Sequence, residues 1–414
     1  MIEAAARSAG GAWRPPSVIA SGMIRVPVVA MTSSGEALIV WPSTSYPRRN
    51  GHSKARESVN VRTLATHGSS AWSAKHVLAA HVDPGGFEAA DPQIAVNAGG
   101  EVAVAFRIAA AGVRDWSRHE EVMLSRRPVH AAWKPPKRIA TLNNGGYELQ
   151  TDLAASGKAV VAWNTASPRG EFEGSSVWVE AVTVTADGRL VGRPQVLSSR
   201  KQRAIEMALA TDAKGESVLA FRMGGQRPGL LEAEGAVACD VEDDSDEGSY
   251  APLPDAHGYG VGEGPERVTR TDIDGSFAKP VTLAEHSLGT SVAISPGGEA
   301  AVLFEHEATA RQTVLEASFS LVRRGWSAPT ATPVNGLLAG LGFDEAGDLK
   351  TVFSVPGGFE VATRTSETWG SPEAVSAPEK SNQRTAAVTS TGSTTLAWLA
   401  TTGNRQIVGV RSSD

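Results

Sequence analysis

One cysteine, Cys239, occurs in 414 residues. That excludes an intrachain disulfide and a thiolate zinc site. It fits a reducing compartment, but a large domain can do without disulfides, so secretion stays open. No apolar run approaches the ~20 residues of a membrane-spanning helix, and no membrane span is expected. The opening Met1-Ile2-Glu3-Ala4-Ala5-Ala6-Arg7 lacks a basic segment followed by an apolar one. No signal peptide is therefore read, which leaves a cytoplasmic protein or a secreted one with its leader removed. Excess positive charge is missing too: the formal net charge is −6, which gives no footing for a nucleic-acid partner. There is no P-loop, dinucleotide fingerprint, Gly-x-Ser-x-Gly elbow or His-Glu-x-x-His, which weighs against the common nucleotide-binding and hydrolase classes. Enzymes whose catalytic groups are scattered through the chain are untouched by that absence.

What is present is a repeat. A short apolar stretch, a polar turn ending in Gly and a second apolar stretch ending in Trp or Phe recur seven times: 28–41, 93–106, 150–163, 208–221, 291–304, 340–353 and 385–398. The glycines are Gly35, Gly100, Gly157, Gly215, Gly298, Gly347 and Gly392. Six residues after each comes Trp41, Phe106, Trp163, Phe221, Phe304, Phe353 or Trp398. Alternation on both sides of a short turn predicts an antiparallel hairpin, with Gly supplying the positive φ the turn needs. The first arm carries a small side chain in every copy (Ala30, Ala95, Asp152, Ala210, Ala293, Gly342 and Ala387), as suits strands converging on an axis. The aromatics are expected to fill the gaps between neighbouring units, each contributing roughly 2–3 kcal/mol by burial.

A second element follows each hairpin: a further strand, then a Trp-x-x-Pro-like segment. Its copies lie at 11–20, 70–79, 131–140, 275–284, 324–333 and 367–376, with a degenerate one at 190–197. Proline suits an outermost strand, where one edge has no partner to donate to. The first such segment, at Trp13, precedes the first hairpin, and the last hairpin is followed only by 406–410. The expected fold is therefore all-β: a single seven-bladed β-propeller of four-stranded antiparallel blades spanning 1–414. Its ring is closed by the N-terminal outer strand joining the C-terminal blade. Spacings of 45 to 83 residues between repeat glycines are too long and uneven for β-helix coils. Blade 4 carries a long insertion, about 223–265. A closed ring gives no reason to expect more than a monomer.

With both elements in place, the unit resembles the Trp-Ser-x-Pro repeats of bacterial propellers in the sialidase-like group and, more distantly, kelch and WD-repeat propellers. The resemblance covers nearly the whole chain and is architectural. The sialidase Asp box, Ser-x-Asp-x-Gly-x-x-Trp, is not intact: its nearest segments, Thr185-Ala186-Asp187-Gly188 and Asp272-Ile273-Asp274-Gly275, break the spacing. No catalytic residue carries over, and fold alone does not give function.

The long connections, 42–57, 108–119, 165–175 and 223–265, all fall after second strands and so on one face, where binding is expected. Register on the repeat glycines puts three acids just before the inner strands: Asp91, Glu148 and Glu206. After the closing aromatics come Arg107, Asn164, Arg222 and Glu305. His119, Tyr147 and His306 fall nearby. One reading is a polar pocket for a glycan, a carboxylate or a cation, with Arg107, Tyr147, Asn164, Arg222, Glu305 and His306 as ligand contacts. The other makes Asp91 and Glu206 structural ion-pair partners of Arg107 and Arg222. The first function read from this is a non-enzymatic module that binds a glycan or protein partner through the long-loop face. The alternative is a glycoside hydrolase or polysaccharide lyase using Glu148, Glu206, Asp91 or His119. No cofactor or metal is expected, except that the acidic run Asp240–Glu247 could take Ca²⁺; it lacks a full calcium-loop pattern, and a solvated lid is the plainer reading. Arg48, Arg49, His52, Lys54 and Arg56 make the blade-1 loop basic.

Overall fold

A computed structural model of the chain describes residues 2–4, 17–24, 27–46, 48–49, 52–53, 55–64, 72–83, 92–109, 120–142, 148–166, 177–200, 203–224, 264–272, 274–287, 289–309, 312–320, 325–334, 336–356, 358–365, 367–376, 381–388, 394–402 and 405–413. For residues 3–4, 48–55, 81–83, 109, 306–309, 312–314, 376 and 381–413 that description is of backbone alone.

Each repeat forms the expected hairpin. Gln93–Val96 pairs antiparallel with Val102–Ala109, Leu149–Leu153 with Ala159–Ala166, and Arg203–Thr211 with Ser217–Gly224. Gly289–Ile294 pairs in the same way with Ala300–Thr309 and Leu337–Phe343 with Leu349–Val355. In each turn the Gly N–H donates to the carbonyl three residues back, as from Gly215 to Asp212, and φ at the six described repeat glycines is 75° to 93°. Small polar side chains hold several turns from inside: Asp212 Oδ1 accepts the N–H groups of residues 214, 215 and 216. A third strand and an outer strand complete the sheets, as in Glu120–Arg127 with Lys137–Leu142.

The chain is thus an all-β propeller. Its inner strands, Val28–Met31, Gln93–Val96, Leu149–Leu153, Arg203–Thr211, Gly289–Ile294, Leu337–Phe343 and Ser381–Val388, are neighbours in that order. The apolar core lies between sheets. Phe106, Trp163, Phe221, Phe304 and Phe353 are fully buried, each among residues of its own sheet and of the preceding one. Trp163, for example, meets Ala103, Val122 and Ile139 of the sheet before it. On the turn face, Arg126 and Arg270, equivalent in register, repeat one device. Each pairs with a glutamate of its own sheet (Glu101 or Glu216) and donates to the carbonyl of the next sheet's turn glycine (Gly157 or Gly298).

Backbone geometry alone picks out four blades in a ring, against seven repeats in the sequence. Three departures from a plain four-stranded blade accompany the difference. The third and fourth sheets are joined by one parallel bridge, Val177 to Arg203. The sheet of Leu337–Phe343 has two short outer segments. Among the described residues the C-terminal sheet has three strands.

The described pairings do not show the expected closure. Ser17–Ala20 pairs with Ile2–Ala4, and among the described residues no pairing joins it to Arg405–Ser413. The edge of Ser17–Ala20 is taken by the chain's own first residues. Even so, Ile2 and Ile19 pack on Ile39 and Trp41, so the N-terminal pair covers the first closing aromatic as a preceding blade would. Among the described residues, no helix is long and apolar enough to cross a membrane.

Candidate functional site

The inner strand Leu149–Leu153 and the residue before it project Glu148, Gln150 and Asp152 to one side, since side chains alternate along a strand. That side faces the next inner strand, Arg203–Thr211. The Glu148 carboxylate accepts the N–H groups of Glu206 (3.0 Å) and Met207 (2.8 Å). Asp152 Oδ2 accepts the N–H of Thr211 at 2.6 Å. Burial pushes the Asp152 carboxyl up to about 6, against the lowering effect of the hydrogen bonds it accepts from the N–H groups of Leu153 and Thr211. Two carboxylates thus pin the seam between the third and fourth sheets, with Gln150 between them.

At the upper pin the backbone bulges. Glu206 has φ 53° and lies in the register shift between Ile205 and Met207. A non-glycine residue in the left-handed region costs on the order of 1 kcal/mol or more and persists only where its surroundings impose it. Here the imposing groups are Glu148 on the backbone and Arg222 on the side chain. Arg222, 0% exposed, donates to Glu206 through Nη2 (2.7 Å) and Nε (3.2 Å), and through Nη1 to the carbonyl of Ser287 (3.4 Å).

Above this seam a cavity of about 470 Å³ opens among three sheets. The third sheet contributes Glu148 and Gln150, the fourth Glu206 and Met207, and the fifth Gly289, Thr290 and Glu305. Burial pushes the Glu305 carboxyl up, and the Glu206 charge adds to the effect. The wall is therefore rich in hydrogen-bond acceptors, and among the described residues it carries no lysine, arginine or histidine. Behind it lies Glu266, fully buried, with Oε2 accepting the Ser287 hydroxyl at 2.9 Å. Burial pushes the Glu266 carboxyl up to about 8, outweighing the lowering effect of the nearby Thr290 and Ser287 hydroxyls and the attraction of Arg222.

The structure therefore brings Glu148, Glu206 and Glu305 together and places Arg222 directly behind Glu206. Asn164 stands beside them: its Oδ1 accepts the N–H of Glu148 at 2.9 Å. Arg107 lies apart, paired with Glu120 at 3.0 Å. The Glu206–Arg222 contact is the ion pair of the structural reading, made by a residue that also lines the cavity. Asp91, His119, Tyr147 and the acidic run 240–247 lie outside the described residues, and His306 is described only as backbone within Ala300–Thr309. Arg48–Arg49 and His52–Ser53 of the basic loop pair as a small hairpin. Among the described residues no group of three His, Cys, Asp or Glu side chains is placed to hold a metal ion.

Gln150, Met207, Gly289, Thr290 and Glu266 are new to the site. Gln150 had a signal, two residues beyond Glu148 on the same strand face. Thr290 and Glu266 had none, because neither occupies a position that the repeat marks.

No protein-family profile matches the chain, and no curated protein matches it. Among solved structures, a protein of unknown function from Dyadobacter fermentans aligns with a TM-score of 0.43 and 11% identity over 79% of this chain and 94% of its own. The alpha-L-arabinanase of Penicillium chrysogenum, complexed with arabinobiose, aligns with a TM-score of 0.44 and 12% identity (79% and 93%). The GH93 alpha-L-arabinofuranosidase of Fusarium graminearum, also complexed with arabinobiose, gives 0.43 and 10% (78% and 92%).

Proposed function

We propose that the seven repeats build one seven-bladed ring, and that the chain is a non-enzymatic binding propeller whose mouth cavity takes a glycan end. The observation that carries this is the cavity of about 470 Å³ whose described lining residues include Glu148, Glu206 and Glu305 and no lysine, arginine or histidine, with Arg222 pairing Glu206 from behind. Such a wall accepts hydrogen bonds from hydroxyl or ammonium groups and repels carboxylates. Uncharged and amino sugars fit it, and uronic acids do not. Calorimetric titration with glucosamine, galactose and galacturonate tests the proposal. Binding in the order glucosamine, galactose, galacturonate supports it; preference for galacturonate refutes it.

One observation favours a second reading, that of a glycoside-processing enzyme. Glu148 receives two backbone N–H donors, while Glu305, in the same cavity, is pushed towards its protonated form. Two carboxyl groups whose environments differ in this way are the raw material of acid–base catalysis on a glycoside. Turnover of chromogenic glycosides that is lost in both Glu148→Gln and Glu305→Gln would replace the first reading with this one.

A further inference from the structure

In the third and fourth sheets the repeat sets an acid nine residues before the turn glycine and a partner for it seven residues after. Glu148 stands opposite Asn164, whose Oδ1 accepts its N–H at 2.9 Å. Glu206 is held by Arg222 at 2.7 Å. The fifth sheet reverses the pair. Its acid, Glu305, takes the later position, and the earlier one is Gly289. The two are direct partners across the hairpin of Gly289–Ile294 and Ala300–Thr309. A glycine has no side chain with which to answer an acid. Among the described residues, no side chain is hydrogen-bonded or ion-paired to Glu305.

Gly289 is not needed for its backbone, which runs as regular strand without a positive φ. What it contributes is space. A Cβ at 289 would have one neighbour within 4 Å, Glu206 Oε2 at 3.9 Å. Directly opposed strand residues share one face of a sheet, so Glu305 borders the same space. Gly289, Glu206 and Glu305 all line the cavity. The space therefore opens into it between one carboxylate of the fourth sheet and one of the fifth. Arg222 pairs with the first of these and leaves the second without a counter-charge. An ammonium group brings positive charge and three donors to such a place, whereas a hydroxyl brings one donor and no charge.

We propose that Gly289 sets the specificity of the cavity: a ligand's protonated primary amine sits in the space that its missing side chain leaves between Glu206 and Glu305. The preferred ligand is then a glycan ending in a sugar with a free amino group, over the same sugar with a hydroxyl or an N-acetyl group there. Acetylation removes the charge and leaves one donor of the three. This seat rests on the glycan-binding reading above for the sugar, and not for the amine.

Calorimetric titration of the full chain at pH 7 with glucosamine, N-acetylglucosamine, glucose and butylamine, an ammonium without a sugar, tests it. Glucosamine should bind about tenfold or more tighter than glucose or N-acetylglucosamine, the margin of a charge-assisted hydrogen bond over a neutral one. Gly289→Val fills the space while removing no polar group, and valine suits a strand. Glu305→Gln keeps the space and removes the charge. Each should bring glucosamine level with glucose. Glucosamine no tighter than glucose in the wild type, or a preference that survives in either variant, overturns the proposal, while sugar binding itself leaves the glycan reading standing. Butylamine bound and no sugar bound, with the binding lost in Gly289→Val, overturns the glycan reading and keeps the amine seat. Binding of none of the four overturns both. Should Gly289→Val not fold, Gly289→Ala, whose Cβ makes only an ordinary contact, takes its place.

Discussion

Replacing Glu266 by Gln should make the protein more stable at neutral and alkaline pH, although it removes a native hydrogen-bonded side chain. Glu266 is 0% exposed, and its carboxyl is raised from an ordinary 4.5 to about 8. An unfolded chain releases this proton near 4.5, whereas the folded chain keeps it until about 8. Between those values the folded state binds more protons, so stability falls as pH rises. The slope is about 1.4 kcal/mol per pH unit, and the whole interval amounts to roughly 5 kcal/mol. The penalty is absent below 4.5 and constant above 8. Gln keeps the shape, accepts from Ser287 and can donate to Thr290, but carries no proton to lose. Urea unfolding of both proteins at several pH values from 4.5 to 9 isolates the effect, since every other titrating group is shared. The variant should gain on the wild type steadily up to pH 8 and hold its lead beyond. Parallel stability profiles would show that Glu266 ionises normally in the folded protein, and the reasoning would fail.

Four further outcomes are expected. Phe353→Ala, which empties a fully buried wedge between two sheets, should cost about 3–5 kcal/mol in urea unfolding. Arg222→Met should cost about 1–3 kcal/mol, less than for a fully buried pair because the Glu206 left behind is 31% exposed, and the double variant with Glu206→Met should recover much of that loss in the same assay. Gly157→Ala should destabilise more than Gly347→Ala: both have positive φ, but a Cβ at 157 would stand 2.7 Å from Glu101 Oε2 and 3.1 Å from Ala186 Cβ, while one at 347 meets nothing within 4 Å. In a Cys239→Ser background, Val18→Cys combined in turn with Ile407→Cys, Val408→Cys and Gly409→Cys should give a disulfide detectable by mass in at least one pair if the N-terminal strand lies in the last blade; none forming in any pair argues against the seven-bladed ring.

The hairpins were legible because their physics is local. A turn that needs positive φ selects Gly, and a wedge between sheets selects an aromatic six residues later, so Gly215 and Phe221 announce one unit by themselves. The alignment brought Asp91, Glu148 and Glu206 forward at one repeat position and Glu305 with Arg107, Asn164 and Arg222 at another, both at one end of the ring; of these, Glu148, Glu206 and Glu305 line the cavity. What it missed depends on contacts between units. Thr290 matters because it stands between the cavity and Glu266, which comes from a third strand whose preceding connection has no repeat pattern. Asp152 passed as one more small residue at its repeat position. Only the structure shows that its carboxylate reaches the Thr211 N–H of the next sheet. The pairing of Ser17–Ala20 with Ile2–Ala4 was illegible for a similar reason: three residues are too few to show an alternating pattern.

The most direct test of the central claim, that the acceptor-lined cavity is where this propeller binds, is a glycan array read with the wild type beside the double variant Glu148→Gln, Glu305→Gln. Both proteins should fold, as urea unfolding can verify. The account predicts discrete glycan signals for the wild type, none ending in a uronic acid, and their loss in the double variant. Unchanged signals in the double variant would place binding elsewhere on the molecule and contradict it.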